Sequence, residues 1–297
     1  MTQHRKHKRN LTAVAVLLMI CAAWMLKPAA ALSDDEAVEP YYRELQKRLV
    51  ADGFDAKWIA EIYSRPDIVF ETRNVSLYFV HNEAKLNYNQ FTSRQHLRNA
   101  RQYMREHAAA LESAQKAYGV SPEVITAIIL VETKLGTYLG GNTIFNNLST
   151  MAVMSGTAQR HDIWIALPED RRIPKSDFEK KADRKSAWAY EELKALLTYA
   201  KREGIDPASI TGSYAGAMGI AQFMPSNVLA YAQDGNKDGR IDLFDHADAI
   251  TSIASYLKHY GWKPGLSEKE ARKVVYHYNH SKYYVNTVMK ISKRLKS

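Results

Sequence analysis

The sequence predicts a mainly α-helical protein with at most a small β-sheet, on three observations. Apolar residues recur at three- and four-residue spacing through most of the chain beyond residue 39. Helix punctuation frames these stretches: Ser121-Pro122 ahead of one, Ser267 with Glu270 ahead of another, and Gly119, Gly204 and Gly261 behind others. Little competes as strand: within residues 154–184 only Ile163-Trp164-Ile165 looks strand-like.

In chain order, residues 39–49 and 56–63 read as helices, separated by turn signals at Asp52-Gly53 and closed by Arg65-Pro66. A longer helix is expected from Thr92, where Thr92 and Gln95 can form a capping box. Leu97, Ala100, Met104, Ala108, Leu111, Ala114 and Tyr118 then keep helical spacing as far as Gly119. A second, almost wholly apolar helix follows from Pro122, with Gly136 as its stop. Residues 154–184 are charged and rich in turn formers, so they read as an irregular insertion or covering flap. Further helices are expected over 187–202, over 245–260 and from Ser267 onward.

The amino terminus reads as a secretory signal over residues 1–31. Basic residues up to Arg9 precede an apolar stretch from Leu11 to Leu26 and an Ala29-Ala30-Ala31 cleavage site. The protein is therefore expected in the periplasm or cell envelope, either released or held at the membrane by an uncleaved segment. Cys21 is the only cysteine, which excludes a disulfide framework and leaves no thiol in a mature chain. The net charge is +9, but five cations fall in residues 1–31 with no acid, leaving +4 beyond them. That balance suits an acidic polymer or envelope surface, and no aromatic-spaced basic stripe points to nucleic acid. The remainder divides into an N-terminal helical part, 32–107, and a core, 108–297.

Four local patterns carry chemistry. Glu132 sits at the end of the apolar run Val124 to Val131. Burial and the negative end of the helix dipole both favour a protonated carboxyl there, as a general acid requires. A carboxylate tied to Lys134 or to a backbone N–H is the competing reading. Second, the block from Gly212 to Pro225 is dense in small residues, and Ser213, Gln222 and Phe223 would offer a hydroxyl, an amide and an aromatic face to a sugar; a tight helix crossing is the alternative. Third, residues 234–245 reproduce an EF-hand loop. Asp234, Asn236, Asp238, Arg240 through its carbonyl, Asp242 and Asp245 would be the ligands of a structural Ca²⁺ or Na⁺. Fourth, residues 276–284 contain Tyr278, Asn279 and Tyr284 in an aromatic-rich segment, which could equally be tyrosines packed onto a core.

Taken together, and in this order, these motifs resemble those of the lytic murein transglycosylase B family, over roughly residue 41 to the end. The resemblance implies a lysozyme-like helical core that cleaves the MurNAc-β-1,4-GlcNAc bond of peptidoglycan without water, leaving a 1,6-anhydromuramyl product. It implies Glu132 as catalytic acid/base and Tyr88, Ser213, Gln222, Phe223, Tyr256, Tyr278, Asn279 and Tyr284 as glycan-cleft residues. No organic cofactor is implied; the partners are peptidoglycan strands and other envelope cell-wall enzymes, and the protein is expected to be a monomer. Two departures stand out. Leu135 replaces an aromatic usual after the glutamate motif, and the 154–184 segment replaces a paired-arginine segment, with Arg171-Arg172 the candidates to stand for those arginines. A muramidase on the same scaffold, or a non-catalytic glycan binder, are the alternatives to the transglycosylase.

Overall fold

The computed structural model describes residues 38–81 and 87–296, so the expected signal segment, 1–31, lies outside the described residues. Among these, thirteen α-helices and one two-stranded antiparallel sheet are present. The first three helices are α1 (Val38–Ala51), α2 (Ala56–Tyr63) and α3 (Thr72–Phe79). Asp55 starts α2 by accepting the Trp58 N–H on its side chain.

The long helix expected between residues 92 and 118 is two helices, α4 (Arg94–Glu106) and α5 (Ala108–Tyr118). Its cap is Ser93, whose hydroxyl accepts from the His96 N–H; Thr92 instead donates its hydroxyl to the Asn89 carbonyl. The break falls at His107, whose backbone leaves helical values. Tertiary contact wins over local periodicity there: the His107 ring stacks on His246 at 4.3 Å between centroids, and Tyr103 Oη lies 2.9 Å from His246 Nδ1.

Helix α6 (Pro122–Thr133) is the apolar rod of the molecule, with residues 124–130 all buried. Burying such side chains contributes roughly 1.5–3 kcal/mol each before entropy is set against it. It lies against α4, α5, α11 (His246–His259) and α13 (Lys282–Lys296). Strand β1 (Asn142–Thr143) pairs with β2 (Thr211–Gly212), and α7 (Ile144–Ala152), buried throughout, packs on α9 (Lys175–Glu203).

Residues 154–184 are not an irregular flap. They form α8 (Thr157–Ile165) and the first turns of α9, which begins well before residue 187. The Ile163-Trp164-Ile165 run is helical: Ile163 is buried, and the Trp164 indole donates to the Ile173 carbonyl with Arg172 over its ring. Helices α10 (Pro225–Tyr231) and α12 (Glu268–Tyr278) complete the fold, and the Ser267–Glu270 capping box at α12 is present in both directions. No helix of the described residues is long and apolar enough to cross a membrane.

The stacked histidines have a consequence for stability. Burial lowers the pKa of both, more than the opposing charges of Glu106 and Asp245 raise it, and His107 lowers His246 further. The folded state then binds fewer protons than the unfolded chain below the ordinary imidazole value of about 6.5. Stability should be full above that pH and fall as pH drops through it. A melting curve series should show this slope, and His107→Gln should flatten it; an unchanged slope contradicts the assignment.

Candidate functional site

Glu132 is the penultimate residue of α6, and the chain leaves that helix by an unusual route. Lys134, Leu135 and Gly136 all have positive φ, at 49°, 65° and 82°. Two of these are not glycine, and such a run persists only where surrounding contacts impose it. Thr133 supplies them. Its side chain, with no exposed surface, accepts the Gly136 N–H at 3.0 Å and shares its own proton between the Ile129 and Ile220 carbonyls at 3.3 and 3.2 Å. The Leu135 N–H reaches back to the Ile129 carbonyl and the Tyr138 N–H to Thr133. From the far side, His246 closes on Gly136: a Cβ there would meet the ring at 2.8 Å.

The Ser213-to-Pro225 block folds against this exit. Ser213 accepts the Ala215 and Ala217 N–H groups on its hydroxyl, fixing the turn after β2. Gln222 also has positive φ, and its amide donates to the Gly219 and Leu139 carbonyls at 2.9 and 3.2 Å. Its donors thus tie the turn to the segment that follows Glu132 rather than standing open for a sugar. Phe223 is 2% exposed, so it offers no aromatic face; it packs against Tyr256 and Tyr278 at 5.5 and 5.9 Å between centroids.

The tyrosines of the C-terminal segment form a layer beneath Glu132. Tyr256 and Tyr284 are buried, whereas Tyr278, Asn279 and Tyr88 keep part of their surface exposed. Tyr278 donates its hydroxyl to the Ala221 carbonyl at 2.6 Å and Tyr256 to the His277 carbonyl at 2.7 Å. Burial first, then the charge of Glu132, raises the pKa of Tyr278 well above that of an ordinary phenol. Tyr284 is raised for the same two reasons, with Tyr278, a side-chain contact to Glu132 and Tyr88 adding to them. Its oxygen makes no well-formed hydrogen bond, so the contact with Glu132 is a close approach rather than a closed bond. Among the described residues, Glu132 is the one acid whose charge bears on both phenols.

The structure thus gathers Glu132, Tyr88, Tyr278 and Tyr284 around one point. Phe223 and Tyr256 lie beneath as floor, and Ser213 and Gln222 act as braces. The expectation that Phe223, Tyr256 and Tyr284 face a glycan is corrected by their burial. Tyr214, in the same block, turns its ring to Tyr78 and His81, at 6.0 and 5.7 Å between centroids. Arg172 is occupied locally, donating to the Ile165 and Leu167 carbonyls.

The loop 234–245 turns as its spacing predicts, but it closes on a different acid. Asp234 accepts the Lys237, Asp238 and Gly239 N–H groups, Asn236 the Asp238 N–H, Asp238 that of Arg240, and Asp242 that of Phe244. Asp245 is turned away as the N-cap of α11, accepting from Ala247 and Asp248. Asp248, one turn later, reaches back to accept the Gly235, Asn236 and Asp242 N–H groups. It is 1% exposed and burial raises its pKa despite those three donors. Among the described residues no three acidic or histidine side chains converge as a ready metal cluster. The all-oxygen donor set around the buried Asp248 nonetheless fits a hard cation, which would offset a charge that the fold otherwise disfavours.

Residues 37–272 match the family described as the transglycosylase SLT domain. The chain is 33% identical to membrane-bound lytic murein transglycosylase B of Escherichia coli over 232 residues, 74% of this chain and 57% of that protein. It therefore spans little more than half the length of that relative. Among solved structures, the E. coli lytic transglycosylase Slt35 in complex with calcium superposes with a TM-score of 0.68 at 25% identity, covering 86% of this chain and 93% of that one. Soluble lytic transglycosylase SltB1 of Pseudomonas aeruginosa gives the same score at 24% identity, over 87% and 97%.

The crowding at Gly136 can be separated from its backbone strain. Gly53 also has positive φ, 96°, but nothing within 4 Å of a Cβ. Gly53→Ala should cost about 1–2 kcal/mol for the left-handed backbone alone. Gly136→Ala should cost measurably more in urea unfolding, because it also displaces His246. Equal losses would show that the His246 contact does not hold the turn.

Proposed function

The chain belongs to the transglycosylase SLT domain family, and from that membership we propose that it is a lytic transglycosylase of peptidoglycan. The observation that carries the reading is Glu132, the one carboxylate among the described residues whose charge bears on both the Tyr278 and Tyr284 phenols and raises their pKa beyond the effect of burial. Hydrolytic glycosidases use two carboxyl groups, one as acid and one as nucleophile or as base for water. With one such carboxyl among the described residues, a nucleophile from the substrate itself suits the site. Glu132 gives its proton to the leaving glycosidic oxygen between MurNAc and GlcNAc. The resulting carboxylate then takes the proton of the muramic C6 hydroxyl as that oxygen attacks C1, closing a 1,6-anhydro ring. Intramolecular attack supplies a high effective concentration, so no water needs activating.

Tyr88, Tyr278 and Asn279, each part-exposed, are the residues we place against the glycan, with Ser213 and Gln222 holding the wall behind them. Phe223, Tyr256 and Tyr284 support the site from below. The N-terminal composition and the membrane-bound relative support an envelope location. Calcium in the loop, by analogy with Slt35, would be held by Asp234, Asn236, Asp238, the Arg240 carbonyl and Asp248, and would stabilise the fold without entering the chemistry.

Two experiments follow. Mass spectrometry of soluble fragments released from purified peptidoglycan should find anhydromuramyl products; fragments heavier by one water overturn the transglycosylase in favour of a hydrolase. Calcium should raise the melting temperature and a chelator lower it. Asp248→Asn should abolish that shift. Asp245→Asn should keep it, losing only part of a helix cap worth about 1 kcal/mol. A calcium shift surviving Asp248→Asn would remove Asp248 from the site.

A further inference from the structure

The excess charge of the chain is concentrated in its last two helices. Residues 267–297 contain eight lysines and arginines against two glutamates, whereas residues 32–266 contain two more acids than bases. Helix α13 has no acid at all. Of its six exposed residues, Lys282, Tyr283, Asn286, Lys290 and Lys293 fall within a sector of about 100° at 100° per residue, a stripe about 16 Å long, and Lys296 lies about 40° beyond its edge. Beside it, a groove of about 530 Å³ runs between α12 and α13, lined by Arg272, Lys273, Tyr276, His277, Lys282 and Asn286.

Local helix energetics do not explain the stripe. Cations in a last turn complement the helix dipole, which accounts for Lys293 and Lys296; Lys282 stands at the first residue, where the dipole disfavours it. Among the described residues none of Lys282, Lys290 and Lys293 pairs with an acid, and the ion pair of Arg272 with Glu268 is long at 3.6 Å. Two large rings, Tyr276 at 39% and Tyr283 at 60%, are exposed on the same hairpin. Cations spread along a line, with amphipathic rings between them, match a plane of phosphate headgroups better than a single anionic group in a cavity.

We propose that the α12–α13 hairpin is the face by which this protein lies on an anionic lipid surface, with Arg272, Lys282, Lys290 and Lys293 toward the headgroup phosphates and Tyr276 and Tyr283 at their level. Tyr284, which approaches Glu132, points about 150° away from the centre of the stripe. Docking this way leaves the candidate site turned from the bilayer, toward whatever polymer lies above it. The inference does not depend on the proposed enzyme activity.

The test is co-sedimentation of the full chain with vesicles of phosphatidylcholine alone and of phosphatidylcholine mixed with phosphatidylglycerol. The wild type should prefer the anionic vesicles, and added salt should erode the preference. The triple variant Lys282→Gln, Lys290→Gln, Lys293→Gln should lose roughly tenfold or more of it, since each lysine near such a surface adds severalfold. A control triple, Lys47→Gln, Lys57→Gln, Lys201→Gln, removes the same charge from exposed lysines elsewhere and should change little. All proteins share the N-terminal segment, so its own affinity for lipid cancels between them. Equal losses in both triples, retention by the first triple, or no anionic preference in the wild type each overturn the proposal.

Discussion

Everything around the candidate site hangs on the Thr133 hydroxyl. One buried oxygen joins three pieces of chain that are distant in sequence or strained in conformation: the last turn of α6, the left-handed exit at residues 134–136, and the Ile220 carbonyl of the small-residue block. An unmade bond at such a depth costs about 1–3 kcal/mol, comparable to a large fraction of a domain's net stability. The exit it secures contains two non-glycine residues in the left-handed region, which no local preference of lysine or leucine would produce. Glu132 immediately precedes this knot, and its place over the tyrosines follows from it.

The tyrosine layer is the counterpart of that constraint. Tyr278 and Tyr256 are fixed by short bonds to main-chain carbonyls, so their rings cannot swing, and Phe223 fills the space between them. Tyr284 reaches the same place from α13, which packs along α6. Among the described residues, the Glu132 carboxylate has phenols of raised pKa for neighbours and no second acid acting on both of them. Such a site has one group able to give and then recover a proton, which is what an internal nucleophile requires.

Much of this was legible in the sequence, and the rest fails for identifiable reasons. The apolar run into Glu132 and the Ser267–Glu270 box read correctly because a dense apolar pattern and a reciprocal cap are local signals. Helix α9 was missed over residues 175–186 because its inward line there is one residue per turn, Phe178, Ala182 and Ser186, in a sea of charge. The α4–α5 break was invisible because the stacking of His107 on His246 joins residues far apart in the chain. Asp248 escaped because a twelve-residue loop template stops counting at Asp245, three residues before the acid that points inward. Phe223, Tyr256 and Tyr284 are buried where an exposed aromatic face was expected, since burial depends on what packs above a ring and not on its spacing.

The central claim is that Glu132 alone moves the proton. The measurement that bears on it most directly is the rate of peptidoglycan cleavage by Glu132→Gln beside its melting curve. The account predicts a loss of about a hundredfold or more, the range a positioned acid/base contributes, with a melting temperature close to wild type. Cleavage at a near-wild-type rate by the folded variant would contradict it and require another acid in the site.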